Sequence, residues 1–237
     1  MVIARKILSF GAALAVACAV SAPAVLAAPL RVPQVPLQTG WDGYSLQSYL
    51  NGRSQTITTL TDQLDVQTWL APPSGGTTFT LMIEVAGYAP RNNVGIYNAS
   101  EVNPAKYLVL PGAASAGWTA SCQFGASGQL VVRLFDQNHV LQGITNYAGV
   151  DRNNFGFYLE GPAGTFWSQD ARNPGGKPQA LTFAATGAYA GQHWQCFEDL
   201  PYASSDIDYQ DAILLLYQTQ PTAVSGATWS RLKELYR

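Results

Sequence analysis

The chain has 237 residues, of which 47% are apolar and only 12% charged, and its formal net charge is −2. That balance excludes intrinsic disorder, which needs low hydrophobicity with high net charge. The lack of a basic patch also leaves nucleic-acid binding without electrostatic support, so no nucleic-acid partner is expected. Glycine (22), proline (14) and aromatic residues (11%) are scattered as in a turn-rich β protein rather than a helical bundle.

Residues 1–27 carry the three parts of a secretory signal: the basic pair Arg5 and Lys6, an apolar run over 7–20, and a small-residue cleavage pattern ending at Ala27. Cleavage there leaves 11 basic and 15 acidic residues, a net charge of −4. The apolar run is interrupted by Ser21 and Pro23, and no later stretch holds about 20 uninterrupted apolar residues. A secreted protein (periplasmic, cell-surface or extracellular) with no stable membrane span after cleavage is therefore expected. Two cysteines remain, Cys122 and Cys196. An exported chain permits one disulfide between them, and two buried free thiols are the alternative.

Residues 28–40 read as a proline-rich spacer. Leu46, Tyr49 and Leu50 have helical spacing within 41–50, and Asn51-Gly52 is a stop signal. Residues 62–70 read as a strand or an irregular element. Over 78–86, Phe79, Leu81, Ile83 and Val85 alternate with Thr80, Met82 and Glu84, the period of a strand with one face in a core. Further short strands are predicted at 93–97, 106–110, 118–124, 130–136, 155–159, 180–185 and 193–197. The run 212–217 is apolar throughout, as in a strand buried on both faces. Turn signals separate these segments and no crossover helix is visible. The predicted fold is all-β: an antiparallel β-sandwich or jelly roll over 41–217. Residues 218–237 then form a linker and a short amphipathic helical tail, capped by Thr228, with Trp229, Leu232, Leu235 and Tyr236 on one side.

No nucleophile elbow, phosphate loop or zinc-type histidine motif is present, and His139 and His193 lie outside any recognisable motif. No catalytic residue is assigned. The unusual stretch is 198–211, in which five of the chain's 15 acidic residues (Glu198, Asp199, Asp206, Asp208 and Asp211) fall with no lysine or arginine nearer in sequence than Lys177 and Arg231. Like charges at that density repel unless protonated, screened or bridged by a cation. Calcium, which takes six to eight oxygen ligands, is the expected cofactor at these five residues. The spacing is not that of an EF-hand. A solvated acidic loop is the alternative.

The segment Phe197-Glu198-Asp199-Leu200, followed by Ser205-Asp206-Ile207-Asp208-Tyr209-Gln210-Asp211, resembles the bacterial domain-of-unknown-function 4114 family. Asn154-Phe155-Gly156-Phe157-Tyr158-Leu159 with Gly164-Thr165-Phe166-Trp167-Ser168 is similar to the preceding part of that family. Upstream, 46–51, 84–89 and 93–97 carry the same similarity, so it spans about residues 42–218. The resemblance implies an exported bacterial β domain of surface or matrix-associated proteins, with no known reaction, and maps the family's acidic motif onto the five residues above. Gln210 stands where asparagine is common. The membrane-spanning sorting tail of many relatives has no counterpart here, so membrane-tethered sorting is not expected.

Three functions follow as expectations. The first is a calcium-stabilised structural or adhesive module whose partner is an extracellular polysaccharide or cell-surface matrix. The second is a carbohydrate-binding module with Trp118, Trp167 and Trp194 as stacking platforms. The third is a glycoside hydrolase using Glu84 and Glu160 as its carboxylate pair.

Overall fold

The computed structural model describes residues 28–222; the expected signal at 1–27 and the expected helix at 228–237 lie outside the described residues. In chain order the elements are α1 (Leu46–Gly52), β1 (Trp69–Leu70), β2 (Gly76–Ile83), β3 (Asn93–Asn98), β4 (Lys106–Leu110), β5 (Thr119–Phe124), β6 (Leu130–Phe135) and β7 (Leu141–Tyr147). They continue with β8 (Phe155–Gly161), β9 (Gly164–Trp167), β10 (Ala180–Ala184), β11 (His193–Phe197), β12 (Ala212–Tyr217) and β13 (Gln220–Pro221). One sheet runs β13-β1-β8-β3-β4, with β9 also paired to β8; the other runs β10-β11-β12-β2-β5-β6-β7. The strand pairings are antiparallel, giving the expected all-β sandwich. No described helix is long and apolar enough to cross a membrane.

Between the sheets lies the larger core. Phe79 and Leu81 of β2, Ile96 of β3, Phe124 of β5, Phe155, Phe157 and Leu159 of β8, and Leu214 and Leu216 of β12 meet there. A second core covers the outer face of β10-β11-β12, where Leu181, Phe183, Trp194, Ile213 and Leu215 are packed under Val35, Leu46, Leu50 and Ile57. Alternate residues of β12 thus enter opposite cores, which is why its sequence is apolar without interruption. The helix α1 serves that second core. Ser45 caps it by accepting the Ser48 N–H, and Leu46 and Leu50, one turn apart, are its buried residues.

Several boundaries differ from the sequence expectation. The strand read over 78–86 ends at Ile83; its pairing with β12 shifts register between Leu81 and Ile83, and beyond it Val85 N–H still donates to the Gln210 carbonyl at 3.1 Å. Met82 and Ile83 then pack on the second core, not the first. The proline-rich start, read as a spacer, is fixed to the body. Arg31 N–H donates to the Gln63 carbonyl at 2.8 Å, the Arg31 guanidinium pairs with Asp170, and Val35 is buried. The stretch read as a linker from 218 onward begins with β13, which pairs with β1.

The expected disulfide does not form; both cysteines are free and buried. Cys122 on β5 faces the inter-sheet core, and Cys196 on β11 faces the second core. With β12 and β2 between their strands, three strand spacings put them about 14 Å apart, whereas a disulfide needs Cα atoms within about 7 Å. Burial pushes both thiols well above their ordinary range, so they are protonated and poorly reactive. A strong reductant is therefore expected to leave the melting temperature unchanged to within about 1 °C, as read by scanning calorimetry with and without it.

Candidate metal centre

The 198–211 segment leaves β11, crosses the sheet end and returns as β12. Glu198 and Asp199 follow β11 directly, and Asp211 precedes Ala212. The loop between them is pinned from both sides. Tyr209 is fully buried in the second core and donates its hydroxyl to the Pro178 carbonyl at 2.8 Å, while Gln38 N–H donates to the Ile207 carbonyl at 3.1 Å. Ile207 and Tyr209 both have φ of 56°. A left-handed β-branched residue is a genuine outlier, and each such residue costs on the order of 1–3 kcal/mol, so the surroundings must hold this geometry.

The five acidic residues fall into two groups. One carboxylate oxygen from each of Glu198, Asp206 and Asp208 lies within 4.8 Å of the others. Glu198 and Asp208 are buried, and Asp206 is half-buried. Glu198 Oε1 accepts the Tyr209 N–H at 2.6 Å, but its Oε2 is buried with no partner. Asp208 Oδ1 accepts the Gln210 N–H at 2.8 Å. The second group is Asp199 with Asp211: Asp199 N–H donates to Asp211 Oδ2 at 2.7 Å, and Asn92 Nδ2 donates to Asp199 Oδ2 at 2.8 Å. Glu84 joins this group through its repulsion with Asp199 and its contact to Asn92.

None of these carboxylates takes part in an ion pair among the described residues, where the pairs are Arg31 with Asp170 and Lys106 with Glu160. Burial is accordingly the largest influence on their acidity. It pushes Glu198 up to about 8, and Asp208 adds to the effect while the Tyr209 N–H opposes it. Asp208 is pushed up to about 6, again by burial first, with the Gln210 N–H opposing and Asp206 and Asp42 contributing. Glu84 rises to about 8 through burial and Asp199. Asp199 and Asp211 are both raised by burial; Asp199's charge raises Asp211 further.

A residue without any local signal completes the first group. A Cβ on Gly40 would collide with Asp208 Oδ2 and stand 3.1 Å from Asp42 Oδ1, so the turn at 40–43 brings Asp42 beside Asp208. Trp41 N–H donates to Asp206 Oδ2 at 3.3 Å. Gln210 also ties this turn to the loop, because its side-chain amide donates to the Tyr44 carbonyl at 3.0 Å. The donor set fits a hard divalent cation. Two oxygens on one calcium ion at 2.3–2.6 Å can be up to about 5 Å apart, and mixed carboxylate, carbonyl and water ligation is usual for calcium. Glu198, Asp206 and Asp208 would be the ligands, with Asp42 at their edge. Gly40→Ala is expected to displace Asp208 and weaken calcium binding by roughly tenfold or more, as measured by calorimetric titration.

The other residues singled out in the sequence lie elsewhere. Glu160 is held by Lys106 and Thr165, whereas Glu84 has Asp199 and Asn92 beside it, so the two carboxyl groups have different partners. Trp194 is fully buried and donates Nε1 to Gln55 at 3.0 Å, so it cannot serve as an exposed platform. Trp118 packs on the inter-sheet core, and Trp167 packs edge-on to Tyr97 under Arg172. Far more exposed are Trp41 (73%) and Tyr44 (65%), on the turn that carries Asp42. A cleft of about 440 Å³ opens beside Tyr44, lined also by Asp42, Ser48, Tyr49, Arg53 and Gln210 among others. His193 packs edge-on to Trp69, and burial pushes it down to about 4.

Fold and site together define an antiparallel β-sandwich with a buried, strained acidic loop at one sheet end. No family model, no curated protein and no solved structure matches the chain.

Proposed function

We propose that the protein is an exported, non-catalytic β module whose acidic loop is fixed by a calcium ion and whose work is structural or adhesive, at a cell surface or in an extracellular matrix. The observation that carries the calcium reading is Glu198 Oε2, a buried carboxylate oxygen with no hydrogen-bond partner, in a group with Asp206 and Asp208. A buried unpaired carboxylate is costly unless it is protonated or bound by a cation. The resemblance of 197–211 to the domain-of-unknown-function 4114 family supports the same reading, as does the signal-like segment 1–27, and membership of that family is part of the proposal. Titration of metal-free protein with calcium chloride should release or absorb heat and raise the melting temperature. Absence of both would overturn the calcium reading.

Polysaccharide recognition is the second reading, favoured by the exposed Tyr44 lining the cleft and the exposed Trp41 on the same turn. Aromatic rings exposed next to polar groups offer flat apolar faces together with hydrogen-bonding partners. Trp41→Ala and Tyr44→Ala should abolish binding on an array of bacterial and plant polysaccharides while calcium binding persists. An array with no binding by the unaltered protein would remove this reading.

A further inference from the structure

We propose that β7 is a self-association edge: two copies of this chain pair antiparallel along β7 and join their seven-stranded sheets into one. Among the described residues β7 ends its sheet and pairs only with β6. Residues 141–146 are all exposed, including Leu141 at 48% and Ile144 at 53%. Alternate N–H and C=O groups of such an edge point outward and can accept another strand, and natural edges are normally blunted by charge, proline or a cover. Among the described residues this edge has none of those; its one irregularity is a register shift against β6 that leaves Gln142 as an extra residue near its start. No Asp, Glu, Lys or Arg occurs between Asp136 and Asp151, and no proline does either.

The remaining edges are guarded. β10 is covered by Leu64, whose N–H donates to the Thr182 carbonyl at 2.8 Å. The two-residue β13 contains Pro221. On β4, Lys106 is present and the Leu108 carbonyl is taken by the Tyr147 hydroxyl at 3.0 Å. Around β9, Asn173 occupies both the N–H and the carbonyl of Trp167.

A second copy is the occupant that the chain favours. Centred on Ile144, an antiparallel pair sets Leu141 opposite Tyr147, Gln142 opposite Asn146 and Ile144 opposite its own counterpart. Apolar residues then meet apolar ones and amides meet amides, with no charged residue within β7 itself; the nearest charges are Arg133, cross-strand from Ile144 on β6, and Asp136, which accepts from the Gln142 amide at 2.9 Å. The chain's own undescribed segments start from the far end of the sandwich. Leu30 is bridged to Leu64 beside β10, and Thr222 N–H donates to the Thr68 carbonyl beside β1, whereas β4 lies over β5 and β6 near the β7 end.

Sedimentation of the full chain from low to high micromolar concentration tests this. A concentration-dependent shift from monomer to dimer mass is expected. Ile144→Lys should weaken association by at least tenfold, because the change enters a two-fold interface twice and sets two ammonium groups face to face. Thr145→Pro should do the same by blocking the ladder; if it lowers the melting temperature, Ile144→Lys alone decides. Amide exchange over 141–146 should slow as concentration rises. A monomer throughout, a dimer unchanged in Ile144→Lys, or slow exchange over 141–146 independent of concentration would each overturn the proposal.

Discussion

Calcium at a hundredfold excess over its Kd should stabilise the metal-free protein by about 2.7 kcal/mol, a rise in melting temperature of about 5–10 °C for a chain of this size. The increment should depend on pH with a definite sign. Glu84 and Glu198 are pushed up to about 8 and Asp208 to about 6, and Asp211 is also raised. Between the ordinary carboxylate range and those values the folded state holds protons that the unfolded chain has released. Their contribution is fully present below about pH 4 and is lost as pH rises through about 6 to 8. The metal-free protein should therefore melt progressively lower across that window. Calcium competes with those protons, so its stabilising increment should grow over the same range. Glu198→Gln separates the two effects. At pH 8 the metal-free variant should melt at or above the unaltered protein, since a disfavoured buried charge is gone, yet it should lose most of the calcium-induced rise. Calorimetric scans of both proteins at pH 5 and pH 8 (about the two limits of the window), with calcium and with chelator, read all four quantities. An equal calcium increment in both proteins would contradict the assignment of Glu198 as ligand.

Phe157→Ala should lower the unfolding free energy by about 3–5 kcal/mol. Its ring is the hub of the inter-sheet aromatic cluster, with centroids at 5.0 Å from Phe79, 5.8 Å from Phe155 and 6.1 Å from Trp69, and it is buried. Removing it strips contacts from three rings on both sheets at once and leaves a cavity that rigid β backbone cannot close. Urea unfolding should show a lower midpoint with an unchanged slope. Because Phe157 lies in the core away from the acidic loop, the calcium increment should survive the substitution, which keeps the two experiments independent.

The sequence was informative wherever one chemical pattern sufficed. Phe79 and Leu81 disclose their strand by alternation, and 212–217 discloses a strand buried on both sides by its unbroken apolar run. β7 escaped because neither of its faces is buried, so 141–147 has no apolar period to detect; the property that hid it is the one that leaves its edge open. The density of acid at 198–211 was visible, but not its division. Glu198 turns toward Asp206 and Asp208, while Asp199 turns toward Asp211 and Asn92, as successive residues leaving a strand diverge. Asp42 gave no local signal because its neighbour Asp208 is 166 positions away. The cysteine pairing failed for a related reason. Facing direction and lateral strand order are set by the whole sheet, and neither can be read from two residues.

The lateral order of the larger sheet also bears on how the chain can reach its final form. Its third member, β12, is nearly the last of the described strands along the sequence, yet it is wedged between β11 and β2. While a polypeptide emerges N-terminus first, the β2-β5-β6-β7 meander and the β10-β11 hairpin have no strand between them within this sheet. Only arrival of residues 212–217 closes the gap. Completion of the larger sheet therefore waits on a strand made well after its partner β2, and the acidic residues just ahead of that strand are brought to the sheet end in the same event.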